Sequence, residues 1–286
     1  MLTRRHFASL SAAAAAAALV ASKNLTAATR SGLEFGVQLF MVREHVKDLD
    51  TTLAMIHRIG YARLETYPII YNRPAKELKR QIAAAGLSST SGHFDYQSLE
   101  EKVDYAAELG LKYMVCPWIP KPLQDSPEGF HQAAAHFNRA AERARKAGLI
   151  FAFHPHNYEF RPYPQGRGWE ILMSEMDPAI QLELDIFWAT EAGQDPLALM
   201  TQYRERIRLI HIKDRIPSTA VSFVPDDAAT ARCTEAGSGS IDWKKILGKA
   251  QRMGITEYYV DQDATSLPIE ESLRRNWSFL AQLELG

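Results

Sequence analysis

Cysteine is almost missing from this 286-residue chain: the two present, Cys116 and Cys233, are too few and too far apart for a disulfide framework or a thiolate zinc site. Any metal here must use histidine and carboxylate. A charge excess is missing too, with 33 Lys+Arg against 34 Asp+Glu and a formal charge of -1. The first 28 residues hold Arg4, Arg5 and Lys23 and no acid, so the rest is mildly acidic and a poor partner for nucleic acid. With 16 Gly, 14 Pro and 46% hydrophobic residues, the composition excludes collagen-like and disordered chains. No strongly apolar run reaches the roughly 20 residues of a membrane helix, since the stretch from Ala8 to Ala21 is short and mostly alanine.

What the N-terminus does have is a basic start, Thr3-Arg4-Arg5-His6-Phe7, then that apolar stretch, then small residues up to Ala28. These are the three parts of a signal peptide. The arginine pair followed by Phe resembles the twin-arginine signal, which exports folded proteins; a plain secretory signal is the alternative. The expectation is an export signal over 1–28, cleaved, and one catalytic domain over 29–286 that is periplasmic and has no stable membrane span. The domain is close to the ~250 residues of one (β/α)8 barrel.

From Glu34 onward, short β-branched or aromatic runs alternate with amphipathic stretches, the pattern of parallel βαβ units. Strands are predicted at Phe35–Leu39, Arg63–Thr66, Leu87–Gly92, Tyr113–Cys116, Ile150–His154, Gln181–Asp185, Ile207–His211 and Glu257–Asp261. Helices are predicted at Asp50–Ile59, Pro74–Ala85, Leu99–Leu109, Phe130–Ala147, Trp169–Met176, Pro196–Tyr203, Asp242–Met253 and Ile269–Leu283. The count is that of a single α/β TIM barrel. Five helices end in glycine followed by an apolar residue, at Gly60, Gly86, Gly110, Gly148 and Gly254, a helix-stop signal. Two longer loops, Pro117–Gly129 and Arg215–Ser240, follow strand ends and are candidate substrate covers.

Polar residues gather where the predicted strands finish: Gln38, Glu65, His93, His154 with His156, Asp185, His211 with Lys213, and Asp261 with Asp263. A strand buried on both faces should read almost continuously apolar, so polar side chains at one end of seven strands mark a site. Asp185, His211 and Asp261, with a group from the fifth strand, have donors that suit Mn, Co, Zn or Mg. Each also has an ordinary structural role open to it: Asp185 as a helix cap, His211 as a core histidine, Asp261 as a partner of Lys213.

Five segments, Phe151-Ala152-Phe153-His154-Pro155-His156-Asn157-Tyr158-Glu159-Phe160, Leu184-Asp185-Ile186-Phe187-Trp188-Ala189, His211-Ile212-Lys213-Asp214, Gly237-Ser238-Gly239-Ser240-Ile241-Asp242-Trp243 and Tyr259-Val260-Asp261-Gln262-Asp263, occur in that order. In this order they resemble the sugar phosphate isomerase/epimerase family of xylose isomerase-like TIM barrels. Gly36-Val37-Gln38-Leu39-Phe40 with Arg43, and Ile59-Gly60-Tyr61 leading to Glu65, fit the same group. The resemblance implies one divalent metal ion held by four strand-end residues, usually two Glu, one Asp and one His. Asp185 and His211 match directly, Asp261 replaces a glutamate one methylene longer, and at the fifth strand the usual glutamate is replaced by a His-x-His, His154-Pro155-His156. Side chains alternate along a strand, so His154 and His156 face the same way and either can ligate; His154 is read as ligand and His156 as a polar contact to metal or substrate.

Glu159 is a candidate base for a proton beside a carbonyl, or a helix-entry carboxylate. Lys213 is a candidate for stabilising an enolate oxygen, or an ion-pair partner of Asp261 or Asp263. Trp118 and Trp188 are candidates for stacking on a sugar, with Gln38, Glu65, His93 and Asp263 as further substrate contacts. Cys116 reads as buried packing, and Glu235 as a solvated loop residue. The first functional reading is a metal-dependent isomerase or epimerase of an unphosphorylated sugar or keto-sugar, through an enediolate. A dehydratase or lyase acting on a keto-sugar, inosose or oxidised glycoside shares the same intermediate. A catalytically inactive sugar-binding barrel is a third reading, and a nuclease on the same barrel is disfavoured by the acidic body. The partner is a small carbohydrate, without nucleic acid, and a homo-oligomer is left open.

Overall fold

The computed structural model describes residues 29–285; the expected export signal lies outside them. Eight parallel strands close into a barrel: β1 (Gly36–Gln38), β2 (Arg63–Thr66), β3 (Ser88–His93), β4 (Tyr113–Cys116), β5 (Ile150–Phe153), β6 (Gln181–Asp185), β7 (Ile207–Ile212) and β8 (Glu257–Val260). Each neighbours the next, and β1 closes on β8 through Gly36 opposite Tyr259. The helices are α1 (Leu49–Ile59), α2 (Ala75–Ala84), α3 (Leu99–Leu109), α4 (Pro127–Lys146), α5 (Gly168–Glu175), α6 (Ile186–Glu191), α7 (Pro196–Gln202), α8 (Asp227–Thr230), α9 (Trp243–Arg252) and α10 (Ile269–Gln282).

Strand alternation divides the core. Val37, Leu64, Leu182, Leu184, Ile210 and Ile212 pack in one large apolar cluster that includes Leu53, Ile82, Val103 and Phe137 of the helices. A separate small cluster is formed by Tyr113, Val115, Ala152, Leu209 and Tyr259. At the amino-terminal end of the strands, Glu257 accepts hydrogen bonds from Arg63 (3.2 Å), Thr90 (2.8 Å) and Tyr259 (2.7 Å), closing the barrel floor with a satisfied polar plug. Everything chemically active is left for the other end.

The eight predicted helices are all present, α4 starting three residues early because Ser126 caps it and Pro127 occupies its first turn. Gly86 (φ 78°) and Gly110 (φ 88°) take the left-handed backbone their helix stops require. α6 was not foreseen: Ile186 to Ala189 continues the apolar text of β6, and only the Asp185 side chain, accepting from Trp188 N at 2.8 Å, turns strand into helix. The loop after β7 is also more ordered than expected. Asp214–Arg215 pairs antiparallel with Cys233–Thr234, and α8 lies between. Within it Asp214 accepts from the backbone N–H groups of Gly237 (2.9 Å) and Ile241 (3.0 Å) and from the Trp243 indole (3.0 Å). A Cβ at Gly239 would strike Asp214 and the Arg215 carbonyl, so glycine is required there.

Candidate active site

Two layers of titratable side chains fill the carboxyl end of the barrel. Register sets them: Gln38 lies opposite Glu65 and Glu65 opposite Ser91, while Asp185 lies opposite His211. In the inner layer, Glu65 Oε2 accepts from Gln38 Nε2 (2.8 Å) and pairs with His211 Nε2 (2.7 Å), and Ser91 Oγ donates to Glu65 Oε1 (2.5 Å). Glu183 Oε2 lies 2.8 Å from His93 Nε2, 3.2 Å from His211 Nε2 and 3.3 Å from His154 Nδ1.

The outer layer is carboxylate-rich. Lys213 Nζ lies 2.9 Å from Asp185 Oδ2, 2.9 Å from Asp261 Oδ2 and 2.7 Å from Asp263 Oδ2. The contact with Asp185 is an ion pair off the angle of a hydrogen bond, so Asp185 Oδ2 has no hydrogen-bond partner. His211 Nδ1 points the same way, 3.1 Å from Asp261 Oδ2 and 3.9 Å from Asp185 Oδ2, and His154 Nε2 is 3.9 Å from the same Asp185 oxygen. Each of these two imidazoles therefore presents one nitrogen to each layer.

Burial opposes every charge in this nest, and the neighbours decide which survive. It works against the Lys213 ammonium, but Asp185, Asp261 and Asp263 outweigh it and hold the pKa well above the ordinary value. His211 is likewise held well above the ordinary value by Glu183, Asp261 and Glu65, and His93 is raised to about 9, chiefly by Glu65. Glu65 is held low by His93 and His211, and Asp261 by Lys213 and His211, again against burial. Burial wins at Asp185, raised to about 6, and at Glu183, also raised. His154 and His156 are pushed well below the imidazole range, first by burial and then by nearby cations.

A cavity of about 460 Å³ opens above these layers, walled by Phe40, Arg43, Tyr67, Trp118, His156 and Trp188, with His93, His154, Asp261 and Asp263 on its polar side. Pro225, Asp227 and Thr230 from the loop after β7 complete the wall. Its size is that of a small-molecule site. Trp118 is 37% exposed at the rim, whereas Trp188 is buried and its ring centre lies 5.3 Å from that of His156.

The structure brings His154, Asp185, His211 and Asp261 together as expected, with one donor atom from each within 4.8 Å of the others. Asp185 Oδ2 and Asp261 Oδ1 lack hydrogen-bond partners, and nitrogen with carboxylate oxygen is the donor set of a divalent ion, so the residues fit one. Asp185 is also a helix cap and Asp261 also pairs with Lys213; in both cases one oxygen does the structural work and the other is left over. His93, His154, Glu183 and His211 form a second group of the same kind below.

Several expectations are revised. Gln38 and Glu65 do not reach the cavity; both are fully buried beneath His211. Glu159 is buried in the turn after β5, where its Oε2 accepts from the His156 backbone N–H at 3.0 Å, and it is not part of the cavity wall. Glu235 is not solvated: it is buried and accepts from Gln262, Thr265 and Ser272 at 3.0, 2.8 and 2.8 Å, tying the loop after β7 to the loop after β8 and to α10. Glu183 was not foreseen, although it stands two residues before Asp185 on the same strand face, which was the available signal. Cys116 is packing, with burial pushing its thiol up to about 12.

The family model for the xylose isomerase-like TIM barrel matches residues 53–282. The chain belongs to this family. A sugar phosphate isomerase/epimerase from Parabacteroides distasonis shares 26% identity with a TM-score of 0.72, covering 88% of this chain and 94% of that one. An inosose dehydratase from Lacticaseibacillus casei is 28% identical over 206 residues, 64% of this chain and 65% of the relative, so the match spans just under two thirds of that protein's length. The IolI protein, solved with a zinc atom, shares the barrel with a TM-score of 0.67 at 15% identity, covering 86% of this chain and 96% of that one, a likeness of fold. Members of this family include both isomerase/epimerase and dehydratase enzymes of sugar chemistry. No described helix is long and apolar enough to cross a membrane.

Proposed function

We propose that this xylose isomerase-like barrel is a divalent-metal-dependent enzyme that removes the proton beside the carbonyl of an unphosphorylated keto-sugar or keto-cyclitol, the opening step of an isomerisation or epimerisation. The observation that carries the reading is the placement of His156, on the cavity wall with Nδ1 unpaired, beside the His154, Asp185, His211 and Asp261 cluster. A divalent ion held by those four residues would supply a Lewis acid for the substrate carbonyl, and the zinc of the IolI protein supports that cofactor.

The remaining work belongs to side chains. His156, kept neutral by burial, accepts the α-proton as the C–H electron pair moves toward the carbonyl oxygen. Lys213, fully buried behind Asp185 and Asp261 and off the cavity wall, stays charged throughout, and its field from beneath the site offsets negative charge building on that oxygen. Trp118 and Trp188 wall the apolar face of the ring. Return of the proton by His156 to the neighbouring carbon gives the isomer, and protonation of the α-carbon from the opposite face by a second donor gives the epimer. Loss of a β-hydroxyl as water from the same enolate gives dehydration, a second reading favoured by the inosose dehydratase relative. Export through the Arg4-Arg5 segment is retained as a proposal, and it favours a substrate without phosphate.

Incubation of the metal-loaded protein with ketoses and inososes in heavy water tests this. Deuterium at the α-carbon with retained mass balance supports isomerisation or epimerisation, and an enone product supports dehydration. Binding without exchange or product leaves the inactive sugar-binding barrel ahead.

A further inference from the structure

We propose that Glu65 is a positioning residue that fixes which nitrogen of His211 is free to bind the metal. The inference rests on the reading of His211 as a ligand. A neutral imidazole that coordinates through one nitrogen carries its proton on the other, and a carboxylate behind that proton decides the arrangement and strengthens the ligand. His211 meets a carboxylate in hydrogen-bond geometry at both ring nitrogens, Nε2 with Glu65 Oε2 at 2.7 Å and Nδ1 with Asp261 Oδ2 at 3.1 Å, so a metal that takes one nitrogen leaves the N–H on the other. Nδ1 is the nitrogen that faces Asp261 and Asp185, so a metal among those donors displaces its proton and leaves the N–H on Nε2, held by Glu65.

Glu65 is itself locked. Gln38 donates to the oxygen that holds His211, and Ser91 donates to the other. These partners come from β1 and β3, the strands on either side of β2, while His211 reaches over from β7, so the carboxylate is held by both neighbours and aimed across the barrel. With its side chain fully buried and off the cavity wall, Glu65 is placed to act through His211 and not on substrate. The polar text of β3, Ser88-Ser89-Thr90-Ser91-Gly92-His93, acquires a reason at Ser91.

The test measures zinc affinity by chelator competition and reads the histidine ring nitrogens by 15N NMR, on wild-type protein and on Glu65→Gln, Ser91→Ala, the double variant and Glu257→Gln. Expected are one zinc in all five, affinity weakened about 10- to 100-fold in Glu65→Gln, and a several-fold loss in Ser91→Ala that disappears when Glu65 is already changed. Glu257→Gln, at the barrel floor, leaves affinity unchanged and controls for the loss of a buried carboxylate. Wild-type His211 coordinated through Nδ1 with its proton on Nε2 supports the proposal. Coordination through Nε2, unchanged affinity in Glu65→Gln, or an undiminished Ser91→Ala effect in the double variant overturns it. If Glu65→Gln does not fold, Ser91→Ala and the wild-type spectrum decide. If wild type takes up no divalent ion the metal reading fails; a hydrogen-bonded Nε2–H on His211 in that metal-free protein, lost or shifted in Ser91→Ala, still supports the Glu65 contact, and its absence overturns it.

Discussion

Lys213 and Asp261 form a 2.9 Å ion pair in which neither side chain is more than 6% exposed. The lysine also faces Asp185 and Asp263, so one ammonium offsets three carboxylates. Replacing it by methionine strands those charges, and a loss of about 3–5 kcal/mol of stability is expected in metal-free protein by urea unfolding. A divalent ion should restore much of the loss, because it supplies positive charge to the same oxygens. A Lys213→Met loss below about 1 kcal/mol, or one indifferent to metal, would count against this electrostatic account.

Glu159 gives a pH prediction with a definite sign. Burial raises its carboxyl from 4.5 to about 8, so the folded protein holds a proton that the unfolded chain has released at neutral pH. Its neutral form contributes stability fully present below pH 4.5 and lost as pH rises to about 8. Glu159→Gln mimics the neutral form. The variant should match wild type in acid and exceed it by a few kcal/mol near pH 8, read from urea unfolding across that range. A difference independent of pH would refute the assignment.

Metal affinity should climb with pH in two regimes. Asp185, raised to about 6 by burial, must lose a proton to become a ligand below that pH, and His211, held well above its ordinary value, must lose one on either side of it. Affinity is therefore expected to rise about a hundredfold per unit below pH 6 and about tenfold per unit above it. Titrations from pH 5 to 8 would reveal the break, and Asp185→Asn should abolish it while weakening binding.

The two tryptophans should separate by kinetics. Trp118, at the rim, should lose only contact with substrate when changed to alanine, giving a KM higher by about tenfold, near-constant kcat and stability within about 0.5 kcal/mol. Trp188→Ala removes a buried indole beside His156 and should lower stability by about 3–5 kcal/mol and kcat as well. Equal effects at both positions would show that the cavity wall does not divide this way.

The barrel and the outer layer were legible because both follow from local rules. Glycine helix stops and alternating runs gave eight units, and polar residues that break an apolar strand gave His154, Asp185, His211 and Asp261. The inner layer was harder. Glu183 lies mid-strand, where a charge reads as exposed unless cross-barrel partners are known, and those partners are 28 to 90 positions away in sequence at His211, His154 and His93. Glu65 was visible as a strand-end carboxylate, but its depth depends on the register of β2 with β1 and β3. Glu235 failed for a related reason: its loop folds back on α10, a contact no local pattern announces.

Asp214 settles what the glycine-rich segment after β7 can recognise. Loops of this composition attract phosphate when their backbone amides converge on empty space. Here the amides of Gly237 and Ile241, with the Trp243 indole, already converge on a carboxylate supplied by the chain itself. The protein carries its own anion in that nest, and an incoming phosphoryl group would have to displace a buried aspartate to use it.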